Sequence, residues 1–97
     1  MEKLVEKGYI RSIGVSNFGV QMLWDLFSYC KYKPVVNEIE IHPLFTNNHL
    51  IKYCKDNNVM PISYCPIARG ANSKKNSNIL ENKLIKQLGA KYGKSPA

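Results

Sequence analysis

Val35-Val-Asn-Glu-Ile-Glu-Ile-His42, halted by Pro43, reads as a β-strand, because β-branched residues fill it and the residue before a proline is driven out of the helical region. Side chains on a strand repeat every two residues. Val35, Ile39 and Ile41 therefore share one side with Asn37, while Val36, Glu38, Glu40 and His42 share the other. One face is apolar and one is polar. Upstream, Val20, Leu23, Phe27 and Cys30 recur at three- to four-residue spacing and predict a helix. Met22, Trp24 and Leu26 widen its apolar stripe through Tyr29, and Trp24 is expected to pack against the sheet. Before that helix, Tyr9-Ile-Arg-Ser-Ile-Gly-Val-Ser16 predicts a strand ending in the polar pair Ser16-Asn17. Met1, Leu4 and Val5, followed by Gly8, predict the last turns of a helix.

Downstream, Thr46 or Asn47 can cap a helix whose face is Leu50, Tyr53 and Cys54, with Asn57-Asn58 as its left-handed exit. Val59-Met-Pro-Ile-Ser-Tyr-Cys65 predicts a third strand, stopped by Pro66. Arg69 to Asn78 reads as a loop, Ile79 to Tyr92 as one helix ended by Gly93, and Ser95-Pro96-Ala97 as the start of another. Strands alternating with helices imply an α/β fold of parallel strands joined by right-handed crossovers. Three parallel strands leave two bare edges and need cover on both faces. Residues 1–97 are accordingly expected to be a single incomplete domain, a segment of a larger sheet or barrel.

A hydrophobic content of 44%, a charged content of 22% and a mean hydropathy of −0.30 describe a chain that packs, which excludes wholesale disorder, collagen and a membrane-embedded protein. The net charge is +7, and it is unevenly placed. Residues 1–68 carry seven basic and six acidic side chains, whereas 69–97 carry seven basic against Glu81 alone. Cys30, Cys54 and Cys65 are odd in number and form no CxxC pair, so they read as reduced thiols, mostly buried, in a cytoplasmic protein. No run approaches 18 apolar residues, so no membrane span is expected.

Gly14-Val-Ser-Asn-Phe18, Val36-Asn-Glu-Ile-Glu-Ile-His-Pro43 and Tyr64-Cys-Pro-Ile-Ala-Arg-Gly70 together resemble three consecutive strand-end motifs of the aldo-keto reductases, in order and with the helices between them. The resemblance covers the whole chain. It implies three parallel βα units, strands five to seven, of a (β/α)8 TIM barrel that reduces carbonyls with a nicotinamide cofactor, usually NADPH. In such a barrel the site stands at the carboxyl ends of the strands.

By that resemblance, Ser16 and Asn17 hydrogen-bond the nicotinamide carboxamide. Glu38 stands where the family commonly has Gln, and a carboxylate only accepts, so it can take the carboxamide N–H but cannot donate to its oxygen. Tyr64 corresponds to the aromatic that stacks on the nicotinamide ring. Cys65 replaces a usual Ser and is a weaker donor; Ile67, Ala68, Arg69 and Gly70 follow the loop that folds over the pyrophosphate, with Lys74 and Lys75 within reach. The family's proton-donating Asp, Tyr, Lys and His come from earlier strands and match no position in residues 1–97. The resemblance therefore implies NADP(H) contacts, a small carbonyl substrate in the complete enzyme, and no activity for this chain by itself.

Other readings stand beside these. Glu38, Glu40 and His42 share a strand face, but side chains two residues apart lie roughly 6 to 7 Å from one another and cannot share a metal ion without a bend, so no metal is expected. His42 and His49 lack a nucleophile to serve. The basic tail is open to reading as a solvated face, a phosphate funnel or a nucleic-acid patch, and the scarcity of aromatics there apart from Tyr92 argues against nucleic acid. The alternative to an enzyme segment is a non-catalytic, basic, anion-binding module that self-associates through its strand edges.

Overall fold

A computed structural model of the chain describes residues 1–70 and 78–97. Helix α1 (Glu2–Glu6) leads to strand β1 (Gly14–Ser16), helix α2 (Val20–Tyr29), strand β2 (Val36–Glu40), helix α3 (Asn48–Asp56) and strand β3 (Met60–Tyr64). A 3-10 turn (Ile79–Glu81) and helix α4 (Lys83–Lys91) follow. The three strands form one parallel sheet in the order β1-β2-β3, with Ser16 paired to Glu38, Glu38 to Ile62, and Glu40 to Tyr64. The alternation expected of β2 is present: Asn37 and Ile39 are buried, whereas Glu38 is exposed.

The chain forms two compact units. One comprises Met1–Glu40 with Asn47–Tyr64, and the other Ile41–Thr46 with Cys65–Ala97. The first holds the sheet and a core of Leu23, Cys54 and Val59, against which Val15, Phe18, Phe27, Leu50 and Tyr53 pack. This core joins one face of the sheet to α2 and α3, the packing that a βα crossover demands. In the second unit Ile79 is buried, and Ile67 and Leu80 lie beside Gly70. Cys54 is buried and Cys30 and Cys65 half-buried, all three as free thiols. Among the described residues, no helix is long and apolar enough to cross a membrane.

Four local expectations are corrected. Trp24 is 71% exposed rather than packed on the sheet. Leu23 occupies the inward position, and Trp24 is turned by the roughly 100° that separates successive helical residues. Strand β1 begins only at Gly14, because Tyr9 closes the end of α1 instead: its N–H donates to Leu4 O at 3.0 Å while Gly8 takes a left-handed φ of 72°. The predicted helix from Ile79 to Tyr92 is broken at Asn82, whose extended backbone ends the 3-10 turn and whose Oδ1 accepts from Leu84 N–H at 3.0 Å and Ile85 N–H at 3.4 Å to start α4. Ser95–Ala97 is irregular rather than helical.

Helix α1 is tied to the residues after α2 through two carboxylates, and Glu6 Oε1 pairs with Lys31 Nζ at 2.6 Å. Glu2 Oε1 accepts from the N–H groups of Lys31 at 2.7 Å and Tyr32 at 3.0 Å. The Tyr32 N–H leads in holding the Glu2 carboxyl below its ordinary range. A group whose pKa falls on folding contributes stability above its unfolded value, about 4.3 for Glu, and loses it as pH falls through the folded value. Glu2→Gln is therefore expected to flatten the acid limb of the stability curve, below about pH 4.5, in urea unfolding followed by circular dichroism. An acid limb identical to that of the parent chain would refute the assignment.

Candidate functional site

Four of the predicted site residues meet in the first unit: Ser16, Asn17 and Tyr64 at the carboxyl ends of β1 and β3, and Glu38 midway along β2, opposite Ser16. Register partners in a parallel sheet share a face, so Ser16, Glu38, Ile62, Glu40 and Tyr64 belong to the face opposite the buried Asn37. Ser16 Oγ donates to Glu38 O at 3.0 Å, and the Asn17 N–H donates to the same oxygen at 2.9 Å, which extends the β1–β2 ladder one residue past β1. Asn17 then turns into the left-handed region at φ 58°, a conformation Asn tolerates better than most residues. Its side chain is held at both ends: Nδ2 donates to Ser16 Oγ at 3.3 Å, and Oδ1 accepts from the Tyr64 hydroxyl at 2.8 Å. Tyr64 thus reaches from β3 across β2 to the end of β1.

Asn37 escaped the sequence reading, although an amide on the apolar side of an alternating strand is the signal that would have found it. It is wholly buried, and its amide brackets one residue: Nδ2 donates to Phe18 O at 2.8 Å while Oδ1 accepts from Phe18 N–H at 3.3 Å. The same nitrogen lies 3.8 Å from Cys54 Sγ. The Ser16-Asn17-Phe18 turn is thus held from β2 twice, by the Glu38 carbonyl on one residue pair and by the Asn37 amide on the next.

The remaining predicted residues belong to the second unit. Cys65, Ala68, Arg69 and Gly70 all have positive φ, and two turn bonds, Ala68 N–H to Cys65 O and Gly70 N–H to Ile67 O, each of 2.8 Å, close the segment. Three non-glycine residues in that region store about 1 kcal/mol or more each, a cost that persists where a chain must present its backbone in one shape. Ile67 and Arg69 are exposed on this turn. Lys74 and Lys75 lie outside the described residues.

The fold and strand-end cluster define a parallel βα segment with its polar groups at the carboxyl edge. The Aldo/keto reductase family model matches residues 1–97, and the chain belongs to that family. It is 46% identical over 97 residues to aldose reductase C of Dictyostelium discoideum, covering 100% of this chain and 29% of that one. It is 36% identical over 100 residues to the NADP-dependent D-sorbitol-6-phosphate dehydrogenase of Malus domestica, covering 32% of that protein. Among solved structures, the aldose reductase of Giardia lamblia superposes with a TM-score of 0.89 at 45% identity, over 99% of this chain and 31% of that one. The chain thus spans about a third of the length of the relatives it matches, and its three βα units are part of an aldo-keto reductase TIM barrel.

Proposed function

We propose that these 97 residues form the nicotinamide-holding segment of an NADP(H)-dependent aldo-keto reductase acting on a small carbonyl or alcohol substrate. The observation that carries this reading is the 2.8 Å bond from Tyr64 to Asn17, which joins the strand ends into one polar patch beside an aromatic ring. The donor set fits the cofactor: a carboxamide offers one acceptor oxygen and two N–H groups, and the patch offers an amide N–H on Asn17 and an acceptor-only carboxylate on Glu38. The Tyr64 ring supplies the flat surface against which a nicotinamide stacks, fixing the face that is presented to substrate. When bound, the nicotinamide supplies or accepts the hydride. Cys65, Ile67 and Arg69 are assigned to the pyrophosphate by the family resemblance of their loop, with the Arg69 charge favouring an anion. The NADP dependence of the Malus domestica relative, given in its name, supports this cofactor.

Proton donation needs an acid that these residues do not match to the family pattern, so the 97-residue chain alone is expected to bind cofactor without turning over. A cytoplasmic setting agrees with the three free thiols. Fluorescence titration of the chain with NADPH is expected to saturate, and Tyr64→Leu to weaken binding about twofold to tenfold, the worth of an aromatic stack. Absence of saturable binding would overturn the cofactor reading, and NADPH oxidation on adding an aldehyde would overturn the expected inactivity. A second reading has its own support: β1 and β3 are edge strands of the sheet, and 69–97 is strongly basic, which suits a self-associating, anion-binding module. Such a module would bind pyrophosphate as tightly as NADPH and be indifferent to Tyr64→Leu.

A further inference from the structure

Helix α4 covers one of its sides with its own chain and leaves an apolar stripe on another. Gly89 marks the covered side: the chain turns back at Gly93, φ 60°, and the Lys94 N–H donates to Gly89 O at 2.8 Å. A Cβ on Gly89 would stand 2.7 Å from Lys94 O, so only glycine admits this return. Away from it, Leu84, Leu88 and the C-cap Tyr92 follow one another at four-residue spacing, each about 40° further round the helix. They are 63%, 47% and 67% exposed. A contiguous apolar stripe with a polar rim marks an interaction site. The rim here is cationic. Lys91 stands about 20° from Leu84 on the helical wheel, with its Nζ 5.4 Å from the centre of the Tyr92 ring. Lys83 at the start of the helix and Lys94 just beyond its end are exposed as well. Glu81, the one acidic side chain of residues 69–97, is already paired with Lys86.

We propose that α4 is a docking face for an anionic lipid surface, with Leu84, Leu88 and Tyr92 entering the headgroup boundary and Lys83, Lys91 and Lys94 resting on acidic headgroups. Charge complementarity selects this occupant. A second copy of the chain would set the same lysines against these, whereas an acidic bilayer meets them with opposite charge and the leucines with an apolar interior. Lysine stems lie along apolar surface while their ammonium groups stay in water, and a tyrosine ring settles where one end is apolar and the other wet. Nine residues make about 13 Å of helix, far short of the roughly 30 Å hydrocarbon layer, so α4 lies in the interface plane rather than across it. Each lysine held near an acidic surface strengthens binding about fivefold, and three together about a hundredfold. Helix α2 also exposes Met22, Trp24 and Tyr29, but its one charged residue is Asp25, which an acidic surface repels. The docking face rests on α4 and its flanking residues and is independent of the nicotinamide reading.

The 97-residue chain is to be sedimented with vesicles of phosphatidylcholine alone and of phosphatidylcholine with about a third phosphatidylserine. It is expected to follow the acidic vesicles only, and to leave them in about 1 M salt, where the Debye length shrinks to about 3 Å. Equal binding to both vesicles, or to neither, overturns the proposal. Replacing Lys83, Lys91 and Lys94 together by Gln is expected to weaken binding about a hundredfold, and Leu84→Ser with Leu88→Ser about tenfold. A loss with the lysine variant but none with the leucine variant would leave charge alone and overturn the stripe. A second measurement needs no weakened variant. Trp24 is the one tryptophan of the chain, so Trp24→Phe combined with Tyr92→Trp moves the indole to α4. Its emission is expected to shift to the blue on acidic vesicles, while that of Trp24 in the parent stays where it is. The opposite pattern would assign the contact to α2. If soluble poly-glutamate binds the chain with the same dependence on Leu84 and Leu88 and displaces it from the vesicles, the partner is an acidic protein and the lipid proposal falls.

Discussion

Asn37→Asp is expected to destabilise the chain by about 3 to 5 kcal/mol at neutral pH, the range seen when a buried charge is left uncompensated. The Asn37 nitrogen donates to Phe18 O at 2.8 Å from a wholly buried position, and aspartate would replace it with an oxygen facing that carbonyl. A carboxyl there can keep both Phe18 bonds only when protonated, with its O–H toward Phe18 O and its other oxygen accepting the Phe18 N–H. Burial and the opposed carbonyl both favour the neutral form, so its pKa in the folded chain lies above the unfolded value of about 3.9. The sign follows: the bonds survive below the unfolded pKa, and the loss grows by about 1.4 kcal/mol for each pH unit above it, up to the folded pKa. Small domains hold roughly 5 kcal/mol in all, so at pH 7 the variant should lose most of its cooperative transition and regain it near pH 4. Urea unfolding at the two pH values reads this directly; a deficit under 1 kcal/mol, or one that does not shrink in acid, would show that the Phe18 clamp contributes little.

The same clamp marks the limit of what the chain discloses before it is folded. The faces of β2 were legible because a period of two sorts side chains without knowledge of their partners: Glu38 is exposed and Ile39 buried as their parity requires. The order of Ser16-Asn17, Glu38 and Tyr64 was legible for a related reason, since Ser16-Asn17 and Tyr64 lie at the ends of β1 and β3, Glu38 lies on the strand between them, and parallel strands bring like ends together. Partnerships across 19 residues, as between Asn37 and Phe18, or 47, as between Tyr64 and Asn17, depend on register and on side-chain reach, which no local pattern encodes. Trp24 misled because a widened apolar stripe does not say where it ends, and Asn82 because one capping side chain can break a periodic run that otherwise continues.

Gly14→Ala is the second change expected to be large, and it acts on the site from two residues away. A Cβ built on Gly14 would stand 2.4 Å from Val36 Cγ2 and 3.3 Å from Val36 O, its register partner in β2. Valine is stiff at χ1, so its methyl cannot swing clear; either β1 moves away or Val36 leaves its rotamer, at about 1 to 3 kcal/mol. If β1 moves, the bonds from Asn17 N–H and Ser16 Oγ to Glu38 O, at 2.9 and 3.0 Å, lengthen with it, and the Ser16-Asn17 turn loses its anchor. The variant should therefore lower the unfolding midpoint and also shift the nuclear magnetic resonance signals of the Asn17 side-chain protons, although Gly14 touches neither. Val36→Ala removes the offending methyl, so the double variant is expected to recover both properties, with a coupling of 1 kcal/mol or more between the two positions. Strictly additive effects would mean that the β1–β2 spacing does not govern the geometry of Ser16 and Asn17, and the close approach at Gly14 would then serve packing alone.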